Sequence, residues 1–276
     1  MPNLNRPAIS TATRLIRSAL ATALYLLTAQ SIFAGSQNTA CPDITYDETA
    51  TVRHVHDGDT INLRDGRKIR LIGINAPELA RDNKAAEVYS SQAKNSLNAF
   101  FKNDKSVGLV FGRDKKDHYG RFLAHVFSAD EQNAQAALIK QGYAYAINIP
   151  PNTRFAACYL ALEHEARCSK QGLWKQRSII NAKDLNKQHL DFNLIAGKVD
   201  DITINKKGIW LNLNNKLTVG IRPKDQPLFD LKAIDKLLHQ TIIVRGWLNK
   251  SDRDNPFYLR IRHPLSIEPA SEYTCR

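Results

Sequence analysis

Two sets of short apolar/polar alternations, separated by a polar stretch, constrain this chain more than any other feature, because half-buried strands must pair into a sheet or barrel. The first set falls at 51–56, 60–63, 68–74, 106–111 and 122–127, with helical patterns at 85–102, 134–141 and 152–170. The second runs 193–204, 208–213, 216–221, a helix near 228–239, then 241–248 and 257–267. Three strands, a helix and two strands is the order of an oligonucleotide/oligosaccharide-binding (OB) barrel, whose helix plugs the barrel between strands three and four. The polar stretch 175–190 shows neither period and reads as a linker. The expected fold class is mainly β with helices (α+β): a first unit at 35–174 and a second, OB-like β-barrel domain at 191–276.

With 276 residues, 43% hydrophobic and 24% charged, the chain is neither disordered nor collagen-like nor a disulfide mini-protein. Its formal charge of +12 is spread over both halves and favours a polyanionic partner, nucleic acid or an anionic membrane surface. Residues 1–34 read as a signal peptide: Arg6, Arg14 and Arg17 precede an apolar run from Ser18 to Ala34 that ends in small residues. Cleavage near Ala34 implies a periplasmic or extracellular protein with no stable membrane association; an uncleaved anchor is the alternative reading.

Export places Cys41, Cys158, Cys168 and Cys275 in an oxidising compartment, where an even count allows two bridges. Ten residues of helix would hold Cys158 and Cys168 ~15 Å apart, beyond disulfide reach. Each then bridges elsewhere or stays reduced, and bridges from the two termini would pin both chain ends to that helix. Which cysteine pairs with which is open. A metal site at Cys158, His164 and Cys168 would need a fourth ligand.

Chemistry concentrates in Val55-His-Asp-Gly-Asp-Thr-Ile-Asn-Leu63, Arg70-Leu-Ile-Gly-Ile-Asn-Ala-Pro-Glu78 and Asp117-His-Tyr-Gly-Arg121. In an extended segment Asp57 and Asp59 share a face and can offer two carboxylates to one hard cation. The spacing is not that of an EF-hand loop. Asn75 and the carbonyl of Ala76, extended because Pro77 follows, add oxygens to a set that calcium accepts. Glu78 is placed to reach a metal-bound water as a general base, and two arginines suit the oxygens of a phosphodiester.

In these three blocks, over about residues 50–174, the chain resembles the staphylococcal nuclease (thermonuclease) family. The resemblance implies an OB-fold nuclease barrel and a calcium-dependent phosphodiesterase acting on DNA and RNA, leaving 3′-phosphate and 5′-hydroxyl ends. It implies Asp59 as a calcium ligand with Asp57 nearby and the Ala76 carbonyl in the same shell. Glu78 would be the water-activating base, and Arg70 and Arg121 the pair that binds the phosphate and its transition state. Gly142 and Gly172-Leu-Trp174 fall at the family's later landmarks. Asn75 stands where the staphylococcal enzyme has a metal-binding aspartate, which removes one charge from the shell. His118 replaces a phosphate-contacting lysine beside Tyr119, and Lys115 and Lys116 precede them as further nucleic-acid-binding candidates. The family's two nucleotide-contacting tyrosines have no match: Asn148 and Pro150 occupy those places, with Tyr143 and Tyr145 close by.

The second half interleaves Lys206, Lys207, Lys216, Arg222 and Arg245 with Trp210, Trp247, Phe257 and Tyr258, a pattern that suits single-stranded nucleic acid as well as an ordinary barrel core and surface. The expected function is an exported, Ca2+-dependent nuclease of DNA and/or RNA. The alternatives are a nucleic-acid-binding protein with weak or no nuclease activity, and a cell-envelope adaptor for protein or glycan. Protein partners are not legible in the sequence.

Overall fold

The computed structural model describes residues 41–42, 45–81, 84–176, 179–271, 273 and 275. The expected signal peptide, 1–34, lies outside them. Five strands, β1 (Glu48–Val55), β2 (Thr60–Leu63), β3 (Lys68–Leu71), β5 (Ser106–Lys116) and β6 (Phe122–Ser128), close a barrel in the order β1-β2-β3-β6-β5. Inward positions such as Val52, Ile61, Leu63, Ile69, Leu71, Leu109 and Val126 fill it. Helices α1 (Ser90–Phe100), α2 (Ala134–Lys140) and α3 (Ala156–Cys168) pack Leu97, Leu138, Ile139, Tyr159 and Leu162 onto the same core. A separate ribbon pairs β4 (Ile74–Asn75) with β7 (Tyr145–Ala146).

The run expected as one strand over 68–74 is two, because the chain turns at Gly73. Its φ is +81° and a Cβ there would meet the Tyr159 ring at 2.7 Å, so only glycine allows both the turn and the contact. The helix expected over 85–102 begins at Ser90, because Tyr89 has a φ of 69° and the Glu87 amide bonds the Glu78 carbonyl. Here a tertiary contact overrides helix propensity.

The second unit carries β8 (Ile179–Asn181), β9 (Asp191–Asn205), β10 (Gly208–Leu213), β11 (Leu217–Ile221), a short α4 (Leu231–Asp235), β12 (Thr241–Lys250), β13 (Phe257–Ile261) and β14 (Ile267–Pro269). The order β12-β13-β11-β10-β9 is closed by pairing of β9 with β12, so this is a second five-stranded barrel. Its alternation is strict on β10, β11 and β13: Ile209, Leu211, Leu217, Val219, Phe257 and Leu259 point in. The expected helix over 228–239 is confined to five residues capped by Asp230, whose side chain accepts the Lys232 amide. The segment expected as a linker, 175–190, is not a free tether. Its strand β8 runs parallel to β9, Ala182 and Leu185 enter the second core, and Ile180 and Leu190 pack against it, so a few apolar anchors dock a largely polar stretch.

The two barrels meet across α3. Glu163, fully buried on that helix, accepts from Arg245 of β12 at 2.5 Å, and Arg245 also pairs with Glu268. Burial opposes the charge on Arg245, but Glu163 and Glu268 outweigh it and hold the guanidinium protonated. Around the pair pack Ala166, Trp174, Leu194, Ile243 and Tyr273. Disulfides Cys41–Cys158 and Cys168–Cys275 tie the ends of the described chain to either end of α3. Both cysteines of the sequence's Cys158, His164, Cys168 metal reading are thereby consumed, and that reading is withdrawn.

An uncompensated buried carboxylate is costly, so Arg245→Met is expected to destabilise the protein by about 3–5 kcal/mol in urea unfolding. Arg245→Met combined with Glu163→Leu is expected to recover most of that loss. A loss below ~1 kcal/mol in the single variant would show that the pair does not hold the junction.

Candidate active site

Asp57, Gly58 and Asp59 form the turn from β1 to β2. A Cβ on Gly58 would sit 2.6 Å from the Cβ of Ala76 and 2.7 Å from that of Ala93, so the glycine lets this turn press against α1 and the loop after β4. Both aspartates are buried as a result. Asp59 Oδ1 accepts from the Thr60 hydroxyl at 3.1 Å, while Oδ2 accepts from the Ala76 amide at 3.1 Å and faces Arg70 Nη2 at 2.8 Å. Arg70 is aimed by two backbone carbonyls, since Nη1 donates to Leu71 at 2.6 Å and to Ile74 at 3.0 Å. Burial pushes the Asp59 carboxyl up to about 6; Arg70 and the Ala76 amide pull it down, whereas Asp57 and Glu78 push it further up.

Glu78 lies on the exposed loop after β4, locked to a second acidic residue. Its amide donates to Glu87 Oε2 at 3.1 Å, and the Glu87 amide donates back to the Glu78 carbonyl at 2.9 Å. Burial of its carboxyl raises the Glu78 pKa, Asp57 adds to the rise, and Arg81 and Arg70 oppose it. Asp57, Asp59, Arg70, Ala76 and Glu78 therefore share one electrostatic neighbourhood. Asn75 sits among them by position, between the Ile74 carbonyl that accepts from Arg70 and the Ala76 amide that donates to Asp59.

Arg121 and its neighbours stand on the β5–β6 hairpin. Asp117 organises it: Oδ1 accepts from the Tyr119 and Arg121 amides, and Oδ2 from Arg121 Nε at 2.7 Å. In the parallel pairing of β3 with β6, Arg70 lies opposite Leu123. Arg121 immediately precedes β6, the strand beside the one that carries Arg70. Tyr119 is 72% exposed, with the His118 ring 3.8 Å away and the Arg121 guanidinium over its face. Lys115 is exposed, while Lys116 lays its ammonium over Phe122 at 4.4 Å.

Arg81 escaped the sequence reading. It meets Asp57 at 3.2 Å and His56 at 3.0 Å, so the Asp57 carboxylate is already countered from the solvent side. Its only signal was its place three residues after Glu78. Tyr143 packs against the first core and Tyr145 lies between Trp174 and Phe192 at the junction, so neither stands free on the surface.

Among the described residues no three His, Cys, Asp or Glu side chains gather into a metal cluster and no cysteine is free. Apart from His56, whose Nε2 already meets Arg81, the donors at hand are oxygens: Asp59, Asp57, the Asn75 amide and backbone. A buried Asp59 whose ionisation two other acids oppose is a site where added positive charge is favourable, which fits a hard divalent cation rather than a soft metal.

A family model described as "Staphylococcal nuclease homologue" matches residues 68–176, taking in Arg70 to Glu78 and the Arg121 hairpin but beginning after Asp57 and Asp59. The chain is 34% identical over 132 residues to a thermonuclease of Staphylococcus intermedius, covering 47% of this chain and 77% of that protein. It is 31% identical over 131 residues to a thermonuclease of Staphylococcus hyicus, covering 46% and 76%. It is also 29% identical over 141 residues to endonuclease YncB of Bacillus subtilis, covering 49% and 66%. With an OB barrel, a buried acidic turn clamped by an arginine and these relatives all in agreement, the chain belongs to the staphylococcal nuclease family and is a nuclease, a hydrolase of nucleic acid.

Proposed function

We propose that the chain is an exported, calcium-dependent nuclease that hydrolyses DNA and/or RNA phosphodiesters at the Asp57–Glu78 neighbourhood, with Arg121 contributed by the adjoining hairpin. The observation that carries this reading is the buried Asp59 clamped by Arg70 beside Asp57 and Glu78. Calcium, held by Asp59 and Asp57 with the Asn75 amide and the Ala76 carbonyl, would supply Lewis-acid stabilisation of charge on the phosphate. Glu78, with its raised proton affinity and its backbone pinned to Glu87, takes the proton of the attacking water. Arg70 is aimed by two carbonyls and Arg121 by Asp117, so both guanidiniums are oriented before substrate arrives and can stabilise the phosphorane-like state. Water adds to phosphorus as its proton passes to Glu78, the bond from phosphorus to the 5′-oxygen breaks, that oxygen takes a proton from solvent to become the 5′-hydroxyl, and the phosphate stays on the 3′ side. His118, Tyr119, Lys115 and Lys116 would guide the strand over the hairpin.

Two disulfides support an oxidising location, in keeping with the signal-like residues 1–34. No helix among the described residues is long and apolar enough to cross a membrane. We assign 35–174 as the nuclease unit and 191–276 as an accessory barrel, with 175–190 joining them. One observation favours the second reading, a binder with weak turnover: Asn75 is neutral and Arg70 itself neutralises Asp59.

Purified mature protein is expected to cleave single-stranded DNA with calcium and not with chelator, and Glu78→Gln is expected to lose ~100- to 10,000-fold in rate. Tight binding without turnover in the unaltered protein would establish the binder instead. The arginines should separate by stability: Arg70→Ala strands a buried carboxylate and should cost about 1–3 kcal/mol, against less than ~1 kcal/mol for the half-exposed Arg121→Ala. Both should lose ~100-fold or more in rate. Thermal unfolding alongside initial rates checks this, and an unimpaired rate in either folded variant removes that arginine from the mechanism.

A carboxylate attracts calcium more than an amide does, so Asn75→Asp is expected to tighten calcium binding and lower the calcium needed for half-maximal cleavage. Calorimetry that finds unchanged or weaker binding in the folded variant would place residue 75 outside the metal shell.

A further inference from the structure

A cleft of 390 Å³ opens where the second barrel meets the loop after β7, and its lining does not belong to the catalytic neighbourhood. From the first barrel it takes Asn148, which is 5% exposed; neither atom of its amide has a hydrogen-bond partner among the described residues. A buried amide left in this state costs free energy unless something enters to satisfy it. From the second barrel come Arg222, Arg260 and Arg262, with Trp247 and Tyr258. Arg260 is committed to Asp225 at 2.5 Å. Burial and the nearby Arg260 and Arg222 together weaken the hold of Arg262 on its proton, with Asp225 the acid that opposes them. Positive charge thus exceeds what the site's own acid offsets, which is the condition for recruiting an anion.

The aromatic part is equally specific. Trp247 is 41% exposed and packs edge-on to Phe192 at 5.1 Å, and Phe192 in turn meets Tyr145 at 5.4 Å. Tyr145 is the register partner of Asn75, so the aromatic chain starts beside the candidate active site and ends at an open indole face. On the far side, Arg222 and Tyr258 also line a second pocket with Trp210, Lys250, Arg253 and one acid, Asp252, so cations outnumber acids there too, and Arg253 lies over the Trp210 ring at 5.6 Å. Gly220 makes this path possible, because a Cβ there would strike the Tyr258 ring at 2.7 Å and the Trp210 ring at 2.8 Å. The two pockets share Arg222 and Tyr258 and so adjoin, as a trough, along the outer face of strands β10, β11 and β13.

We propose that this trough is the track for the single-stranded polynucleotide substrate on one side of the scissile bond. A phosphate sits between Arg222 and Arg262, a base stacks on Trp247 and the Asn148 amide bonds a base edge or sugar. The second barrel then completes the substrate site, supplying aromatic and basic groups where the nuclease barrel presents Asn148 and Pro150. Unpaired bases are required, since a duplex keeps its π-faces covered. The inference rests on the nuclease reading above, and the test measures binding without turnover so that the two can fail separately.

The probe is a fluorescent 20-nucleotide oligothymidylate, titrated in chelator against full-length Glu78→Gln protein and followed by anisotropy at several salt concentrations. Adding Arg222→Ala and Arg262→Ala is expected to weaken binding at least tenfold and to flatten the log K against log salt slope by about 1.4 for two phosphates. Trp247→Ala is expected to cost at least about fivefold. Lys232→Ala with Lys236→Ala removes the same charge from α4 and its C-cap, outside both pockets, and is expected to change little. Asn148→Leu is expected to weaken binding while leaving the melting temperature unchanged or raised, an outcome that a merely structural asparagine would not give. Unaltered affinity in the arginine pair, equal losses in the lysine pair, or equal affinity for a 20-base-pair duplex would overturn the proposal. Cleavage assays on the unaltered chain run in parallel: strand binding through the trough with no cleavage under any condition would retire the nuclease reading and leave the trough standing.

Discussion

The ion pair between Arg245 and Glu163 is the joint on which the geometry of both sites depends. Glu163 accepts the Ala146 amide through one oxygen and Arg245 through the other, while Arg245 donates to the Ala146 carbonyl. The backbone of Ala146 is thus held from both sides by a buried charge pair. Ala146 is also the register partner of Ile74, whose carbonyl aims Arg70 at Asp59. The contact that docks the second barrel therefore also fixes the ribbon carrying Asn75. Such a pair contributes little net stability against apolar substitutes, but once present it tolerates one arrangement, because either charge alone would be stranded.

Charge balance organises the catalytic end in the same way. Three acids approach one another at the Asp57–Glu78 neighbourhood, and the chain counters them with Arg70 from within and Arg81 from solvent. Burial, with the residual repulsion added to it, raises the proton affinity of Asp59 and Glu78. The Arg121 hairpin is built differently, with a single aspartate binding backbone and guanidinium together on an exposed turn. One arginine is therefore part of the packed interior and the other is a surface tool on a rigid mount, though both serve the same phosphate in the proposed reaction.

At the opposite end the imbalance has the other sign. The outer face of the second barrel collects guanidiniums around exposed indole and phenol rings, and it reaches the first barrel at an amide without a partner among the described residues. The disulfides Cys41–Cys158 and Cys168–Cys275 anchor at the two ends of α3, the helix that also carries Glu163, so covalent and ionic ties converge on the element between the barrels.

Much of this was legible in the residues. Alternation at 208–213 and 216–221 reports a barrel strand because side chains of period two must face in or out, and that rule needs no partner. The order of strands and helix, the separation that keeps Cys158 and Cys168 from bridging each other, and the ordered blocks around Asp59, Arg70 and Arg121 follow from local spacing. Other features required the folded chain. Arg245 read as one of several basic residues interleaved with aromatics and proved to be the buried joint, since its partner is 82 positions away. The helix pattern before Ser90 yielded to the Glu78–Glu87 exchange, and the polar stretch 175–190 docked through its few apolar side chains. Arg81 became visible only once Asp57 was placed against it. Periodicity and spacing are local properties, which a sequence states directly. Which charge meets which is decided by burial across long separations, where the cost of an unpaired group selects the partner.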